Sequence, residues 1–525
     1  MSQATLTAEI PFARPAINKW AIAVSVALGA LLEVVDTSIV NVALTEMQNS
    51  LGATLSEVGW VVSSYAVANV IILPLTAWLG HRFGKKRYFI FSLIAFTLAS
   101  VMCGVATTLP LLIAARVLQG LGGGGLLAKA QSILFETFPK KEQAMAQGFF
   151  GAIVIAGPAI GPTLGGYLVT NVNWRWIFFI NIPVGIAAVL MCVAYLQDDE
   201  PNKSGHGIDW IAIALLAIGL GSLQTVLEEG QSDDWFQSRF IVTFAILAAV
   251  SLVAFVMRVL KAEEPVVDLR ILRYRSLWAG SLLSIVVGMA LYGALFSVPI
   301  FAQTVMHYTS QQTGFLLLWG AIASAFTMPI AAMLLGKFDP RVMLVGGALI
   351  LTSAVMQLAH LSPQTGADDL FWPLIIRAFG TVMMFLPLSM ATLGPIPQKD
   401  VAAASGFYNL TRQLGGSVGV ALLTTLLAQR QAFHRAVLVE KLGSIAPETL
   451  TRVAQLTAGF QAKGFTAGDA HEKALTILDG SVNLQAVVMS FGDTFYATAA
   501  LLLVSLPLVF LLGKADKGAG VQMGH

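Results

Sequence analysis

Fourteen apolar stretches, each about as long as a bilayer is thick, dominate this 525-residue sequence. They run near residues 20–42, 58–79, 88–106, 110–135, 144–169, 176–196, 208–227, 238–259, 277–302, 312–336, 341–361, 370–394, 402–428 and 491–513. About 20 apolar residues cross the hydrocarbon core as a helix. Inside lipid every backbone polar group must be satisfied within the protein, so only helices and closed barrels span. These stretches are continuous rather than alternating, which selects helices. Composition agrees, with 56% hydrophobic and 11% charged residues against about 25% charged in soluble chains. Cys103 and Cys192 fall within apolar runs and read as small buried hydrophobes. The first twenty residues lack a signal-peptide cleavage pattern, so the first span is expected to be retained.

Charge fixes the expected orientation. With the N-terminus inside, the inner loops and both termini hold nineteen Lys and Arg residues, and the short outer loops hold Arg175 and Arg239 alone. Such a bias marks the cytoplasmic side, so both termini are expected there. Weak internal symmetry divides the chain further. "LGHRFGKKR" between spans 2 and 3 matches "LGKFDPR" between spans 10 and 11, and "PLLIAARVLQG" in span 4 matches "PLIIRAFG" in span 12. The expected organisation is a cytoplasmic segment (1–19), a six-helix bundle (20–196), two inserted helices with linkers (197–276), a second six-helix bundle (277–513) and a cytoplasmic tail (514–525). Within the second bundle, residues 429–490 form a long outer segment whose apolar spacing suggests short amphipathic helices on the outer surface. Two repeated halves with a site between them at mid-membrane is a transporter architecture.

Six charged side chains then demand a reason. Span 1 carries Glu33 and Asp36 in "LLEVVDTSIVNVAL", although a carboxylate at the bilayer centre costs about 2.5–3.5 kcal/mol or more. Three residues apart, the two share a helix face about 60° wide. A carboxyl poised there can take a proton from one side and lose it to the other. Asp36 and Arg116 are expected about 12 and 9 Å below the outer ends of spans 1 and 4, at about 1.5 Å per residue, so their depths permit pairing. Arg116 would hold Asp36 ionised in one state and release it in another. Glu33 reads as a second proton site, a recognition site for cationic substrate, or a cavity wall. Arg377, the repeat counterpart of Arg116, and Arg412 read as structural pairs or cavity residues, and Gln119 as a cavity residue. Lys129 is expected to snorkel to the cytoplasmic surface. In span 5, Gly157, Gly161 and Gly165 form a stripe that invites close helix approach, with Gly166 beside it. Pro158 and Pro162 remove backbone donors. Together they read as a bent seam on which two halves rock.

These stretches also resemble a known family. "GAIVIAGPAIGPTLGGYL" is similar to the antiporter motif of the major facilitator superfamily, and "LLEVVDTSIVNVAL" and "RVLQGLGGGG" resemble the span 1 and span 4 motifs of its fourteen-span drug:proton antiporters. "NWRWIFFINIPVG", "GSLQTVLEEG" and "AAASGFYNLTRQLGGSVG" narrow the resemblance to EmrB-type exporters. "LGHRFGKKR", with Arg82 and Gly84, resembles the gating loop of the superfamily. It departs by having His81 where an acid and Ala77 where a glycine usually stand, and the span 1 motif has Thr45 in place of proline. The resemblance implies an all-α integral membrane protein with fourteen transmembrane helices in the major facilitator fold. It implies a proton-coupled antiporter in the bacterial inner membrane that exports hydrophobic or amphipathic toxic compounds. It also implies a periplasmic adaptor docked on the outer segment and an outer-membrane channel beyond it. No cofactor is expected beyond protons as coupling ion, and no partner beyond these, small drug-like substrates and lipid; nucleic acid is not among them. Neither a P-loop nor a nucleophile–base set is present in the sequence, which argues against ATP as direct energy source and against an intramembrane enzyme. A uniporter, a symporter, or an exporter of a dedicated metabolite or fatty acid shares the same features.

Overall fold

The computed structural model describes residues 18–198, 208–442 and 447–513. The expected cytoplasmic ends, most of the linker after residue 197, and Arg14, Lys203, Lys514 and Lys517 lie outside the described residues. The described chain is all helical. Eight helices come first: α1 (Lys19–Leu51), α2 (Ser56–Phe83), α3 (Lys85–Val105), α4 (Leu109–Thr137), α5 (Lys140–Asn171), α6 (Trp176–Tyr195), α7 (Trp210–Glu229) and α8 (Arg239–Lys261). Then follow α9 (Arg275–Thr304), α10 (Ser310–Leu335), α11 (Pro340–Leu358), α12 (Ala367–Leu393), α13 (Gln398–Leu442), α14 (Pro447–Gln461) and α15 (Ala467–Leu511).

Among the described residues, twelve helices are long and apolar enough to cross a membrane. The other two expected spans, 277–302 and 402–428, coincide with α9 and α13. Helix α13 is less apolar for a physical reason. Its buried face carries Ser405, Asn409, Thr411, Arg412 and four glycines, because it packs on protein rather than lipid.

Sequence punctuation sets the helix ends. Thr54 caps α2 in a reciprocal box with Glu57, and Thr309 caps α10 with Gln312, each satisfying orphan N–H groups. Gly84 joins α2 to α3 at φ 88°, a left-handed region that glycine enters without steric cost. A further turn is expected to stay helical yet breaks: within "GLGGGG" of α4, the helix stops at Gly123 and restarts at Leu126.

Helices α9, α10, α11, α12, α13 and α15 share one apolar core, including Leu283, Phe301, Leu351, Leu374 and Phe495. The first six helices enclose two more, around Phe89, Phe96 and Phe150 and around Ile39, Trp174 and Phe178. Helix α5 lies between α1 and α10, while α7 packs on α2, α8 and α13. The outer segment differs from expectation. Instead of several short surface helices, α13 continues unbroken for 45 residues, about 67 Å at 1.5 Å per residue. Helix α15 likewise begins far outside the expected span, at Ala467. Arg435 ties the two extensions together through Asn483 (2.7 Å) and Asp479 (2.8 Å). Only α14 is short; it packs on α15 with no residue buried.

Candidate functional site

Helix α1 brings Asp36 to the centre of the first six helices, where it is fully buried. Arg116 of α4, 1% exposed, donates from Nη1 to Asp36 Oδ2 at 2.5 Å. The same nitrogen donates to Gln119 Oε1 at 2.7 Å, and Nε donates to the Val61 carbonyl at 2.9 Å. Asp36 Oδ1 accepts from Gln119 Nε2 (2.9 Å) and Asn181 Nδ2 (3.0 Å). The guanidinium carbon lies 4.2 Å from the Tyr65 ring centre, a cation–π contact that strengthens on desolvation. Asn181 also reaches Ser100 Oγ at 3.0 Å, which donates to the Phe178 carbonyl at 3.0 Å. The arrangement has one chemical consequence. Both carboxylate oxygens accept from N–H donors, three hydrogen bonds in all. Protonating Asp36 would remove the charge that its bond with the Arg116 guanidinium relies on, and so weaken this network.

Glu33 joins a different set, although it shares a helix face with Asp36. Oε1 accepts from Asn69 Nδ2 (2.8 Å) and Oε2 from the Leu127 backbone N–H (2.7 Å). That N–H is free because the glycines interrupt α4 at Gly124–Gly125, so Leu127 falls in the first turn of the restarted half. A helix N-terminus presents unpaired donors and about half a positive charge, and here both are turned on Glu33. The same glycines let α2 approach, since a Cβ on Gly120 would sit 2.7 Å from Ala68 Cβ and one on Gly124 2.6 Å from Asn69 Cα. Arg412, reaching from α13 in the other half, exerts an attractive field on Glu33. Its Nη2 donates to Asn409 Oδ1 at 2.7 Å, and its guanidinium carbon is 5.2 Å from the Phe385 ring centre.

Several expectations are corrected by packing. Gln119 is not a cavity residue; it is fully buried in the Asp36 network. The glycine stripe is not the seam between halves. A Cβ on Gly157 would lie 2.5 Å from Val34 Cγ1 and one on Gly165 2.6 Å from Ile39 Cγ1, while Gly161 abuts Ser38 and Ile39. The stripe therefore nests α5 on α1, within one half and beside Asp36. The seam to α10 lies on another face of α5, at Gly148, Gly151, Thr163 and Gly166, against Ala332, Met328, Gly314 and Gln311. Helix α5 stays one helix of 32 residues with Pro158 and Pro162 inside it. Lys129 does not snorkel: it is 3% exposed, with Nζ packed on Gly80 and 5.3 Å from the Tyr88 ring centre. Arg82 and Gly84 lie where the gating loop was expected, Arg82 partly buried in the last turn of α2. Arg377 is 7% exposed beside Gly320 of α10, and its Nε finds no acceptor among the described residues.

Sequence reasoning missed three groups. Asn181 belongs to the Asp36 network, and its only signal was an amide in an apolar stretch. Gln131 of α4 bridges the halves, accepting from Asn409 Nδ2 (2.7 Å) and donating to Ser389 Oγ (2.9 Å). Helix α7 carries Glu228 and Glu229. Glu229 accepts from Ser63 of α2 at 2.6 Å, and Gln224 donates to both Glu228 (2.7 Å) and Ser417 of α13 (2.8 Å), so the inserted helix grips both halves. A cavity of about 390 Å³, lined by Lys19, Lys85, Lys86 and Glu136 among others, opens at the end of the first half where Lys and Arg concentrate, away from Asp36.

The Major Facilitator Superfamily model matches residues 26–420. The chain belongs to the major facilitator superfamily. Within it, the chain belongs with the EmrB-type transporters. It is 34% identical to the multidrug export protein EmrB of Escherichia coli K12, over 95% of this chain and 96% of that one. It is 31% identical to the fatty acid resistance protein FarB of Neisseria gonorrhoeae (93% and 95%) and 30% identical to the colistin resistance protein EmrB of Acinetobacter baumannii (96% and 98%). In fold it resembles the human organic anion transporter MFSD10, with a TM-score of 0.58 at 13% identity over 92% of this chain and 99% of that one. The proton:xylose symporter XylE gives a TM-score of 0.58 at 11% identity (93% and 95%). This superfamily member is a multi-pass membrane transporter, not an enzyme.

Proposed function

We propose that this protein is a proton-coupled antiporter that exports hydrophobic or amphipathic compounds from the cytoplasm or the inner leaflet. Its place is the bacterial inner membrane, with both termini cytoplasmic. The observation that carries this reading is the buried Asp36–Arg116 pair, whose oxygens are surrounded by donors from Arg116, Gln119 and Asn181. A proton arriving at Asp36 removes the charge that faces Arg116, which weakens the pair and favours a change of packing. Helix α1 transmits that change because Val34, Ser38 and Ile39 are the residues into which the α5 glycines fit. Helix α5 in turn forms the seam with α10. Moving one charge through 100 mV is worth about 2.3 kcal/mol and 1.4 kcal/mol is tenfold, so one net charge per cycle sustains a gradient of roughly fifty-fold.

The test is dye transport in proteoliposomes under an imposed pH gradient, comparing wild type with Asp36→Asn. The expected result is loss of gradient-driven accumulation with substrate binding retained. An Asp36→Asn protein that concentrates dye as well as wild type does would make the pair structural and end this reading.

The extended ends of α13 and α15, with exposed α14, form the surface on which a periplasmic adaptor of a tripartite pump would dock. Replacing Pro447–Gln461 with a glycine–serine linker is expected to leave proteoliposome transport intact and to abolish drug resistance in cells. Unchanged resistance would remove α14 from any docking role.

A further inference from the structure

Arg377 is a buried charge for which no counter-charge is found among the described residues. A guanidinium stays protonated in proteins and presents five N–H donors, yet Arg377 is 7% exposed and its Nε meets no acceptor. Among the described residues, the ion pairs made by acids of this half lie elsewhere, at Arg273–Asp400, Arg430–Asp493, His434–Asp493 and Arg435–Asp479. The sequence explains the deficit. Between residues 275 and 513 no acid falls in the interior of α9, α10, α11 or α12. Asp339 caps α11. Asp369 accepts the Gly366 N–H at the start of α12, eight residues and about 12 Å from Arg377. Asp400 accepts from Tyr274.

The neighbours of Arg377 are small or apolar. Gly320 keeps the wall of α10 low beside the guanidinium, since even an added Cβ there would stand 3.9 Å from Nη2. Two turns further along α12 come Met383, Met384 and Phe385, with Phe385 lying under Arg412. Arg412 already has Asn409 and the field of Glu33; Arg377 has neither.

We propose that Arg377 is an anion-binding site that receives the acidic head group of an amphipathic substrate. The planar guanidinium fork pairs with a carboxylate through two parallel hydrogen bonds, so the cargo supplies the counter-charge that this half lacks. The inference rests on the exporter reading and narrows its substrate class to organic monoanions with an apolar body.

The experiment is equilibrium fluorescence binding to the full chain in phosphatidylcholine nanodiscs, without any gradient. The probes are 1-pyrenebutyrate, 1-pyrenebutanol and pyrenebutyltrimethylammonium, which share one apolar body. Arg377→Gln is expected to weaken pyrenebutyrate binding at least ten-fold and to leave the other two within two-fold, with Arg377→Lys between. Melting of the ligand-free Arg377→Gln protein is expected at or above that of wild type, since an unpaired buried charge has gone. Equal loss for all three probes, no loss for the anion, or a lowered melting temperature would overturn the assignment. So would displacement of pyrenebutyrate by phosphatidylglycerol added to the nanodiscs, which would give the site to a lipid phosphate. Binding is read at equilibrium, so failure of proton coupling at Asp36 and failure of this site give separable results.

Discussion

Arg116 and Arg377 occupy corresponding spans of two repeated halves, and their surroundings could hardly differ more. Arg116 has Asp36, Gln119, the Val61 carbonyl and the Tyr65 ring. Arg377 has a glycine beside it and an Nε without an acceptor. One half satisfies its charge internally, around a fixed acid. The other keeps a cation available. On the function and the anion site proposed above, the two halves divide two tasks, holding a proton and meeting a charged cargo. The sharpest break of this comparison is a pair of matched substitutions. Arg116→Gln strands the buried Asp36 carboxylate, and breaking a buried pair in this way costs about 3–5 kcal/mol. Arg377→Gln strands nothing. Unfolding in detergent at pH 7 should separate the two variants, and equal losses would show that Arg377 has a structural partner after all.

A smaller effect probes the amide donors. Asn181→Ala removes one of the two donors to Asp36 Oδ1 and leaves Ser100 without that partner as well. Hydrogen bonds to charged groups are worth about 1.5–3 kcal/mol, so melting should fall while the fold persists. Transport by this variant should also fall, because Asp36 is then held by fewer donors. Unchanged transport would place Asn181 in packing alone.

What the sequence disclosed about this site follows from what a linear pattern can carry. The all-helical membrane fold, the Asp36–Arg116 depth match and the close packing at the glycines were legible, because lipid imposes length and charge rules on each segment separately. The partner of each glycine face was not. Gly157, Gly161 and Gly165 are a stripe in any helix, but only three-dimensional packing assigns that stripe to α1 and gives Gly148, Gly151 and Gly166 to α10. Lys129 was misread for a related reason, since snorkelling is a rule for side chains near lipid and this one is enclosed beside Gly80 and Tyr88. Glu33 gave the least away. Its partner is a backbone N–H released by a helix break, and a backbone donor leaves no letter in the sequence.

The glycine correction makes its own prediction, next in size. Gly161→Leu drives a side chain into Ser38 and Ile39, and overpacking of this kind costs about 1–3 kcal/mol. Because both helices belong to one half, the cost applies in every state of the transport cycle and appears as lowered stability. Gly314→Leu meets Thr163 across the seam, where a Cβ would lie 2.5 Å from both its N and Oγ1. There the clash penalises only arrangements in which the seam is closed. The expected result is a modest loss of stability with faster labelling of a cysteine introduced at Gln311. The native Cys103 and Cys192 are buried and should contribute little background. Equal labelling in both glycine variants would break the distinction between the two faces of α5.

The smallest effect contrasts the buried pair with a surface one. Asp209 caps α7 by accepting the Ala212 N–H at 3.0 Å, and its carboxylate also accepts from Arg258 Nε of α8 at 2.9 and 3.0 Å. The Arg258 hydrogen bond, opposed by partial burial and helped by the Ala212 N–H, holds the Asp209 carboxyl below its usual value of 3.8. A depressed acid stabilises the fold above its unfolded pKa, and that contribution disappears as pH falls through the folded value. The contribution is therefore complete at pH 7 and lost only in strong acid. Arg258 is 42% exposed, and exposed pairs contribute about 0.2–1 kcal/mol. Salt should erase most of that, because the screening length falls from about 10 Å at 0.1 M to about 3 Å at 1 M. Melting of Arg258→Gln against wild type at pH 7 should differ slightly at low salt and converge at 1 M. The Arg116→Gln deficit should persist at both, since no ion reaches a pair with side chains 1% and 0% exposed. If salt rescued Arg116→Gln as well, Asp36 would be open to solvent, and the donors around it could not tie its protonation to a change of packing.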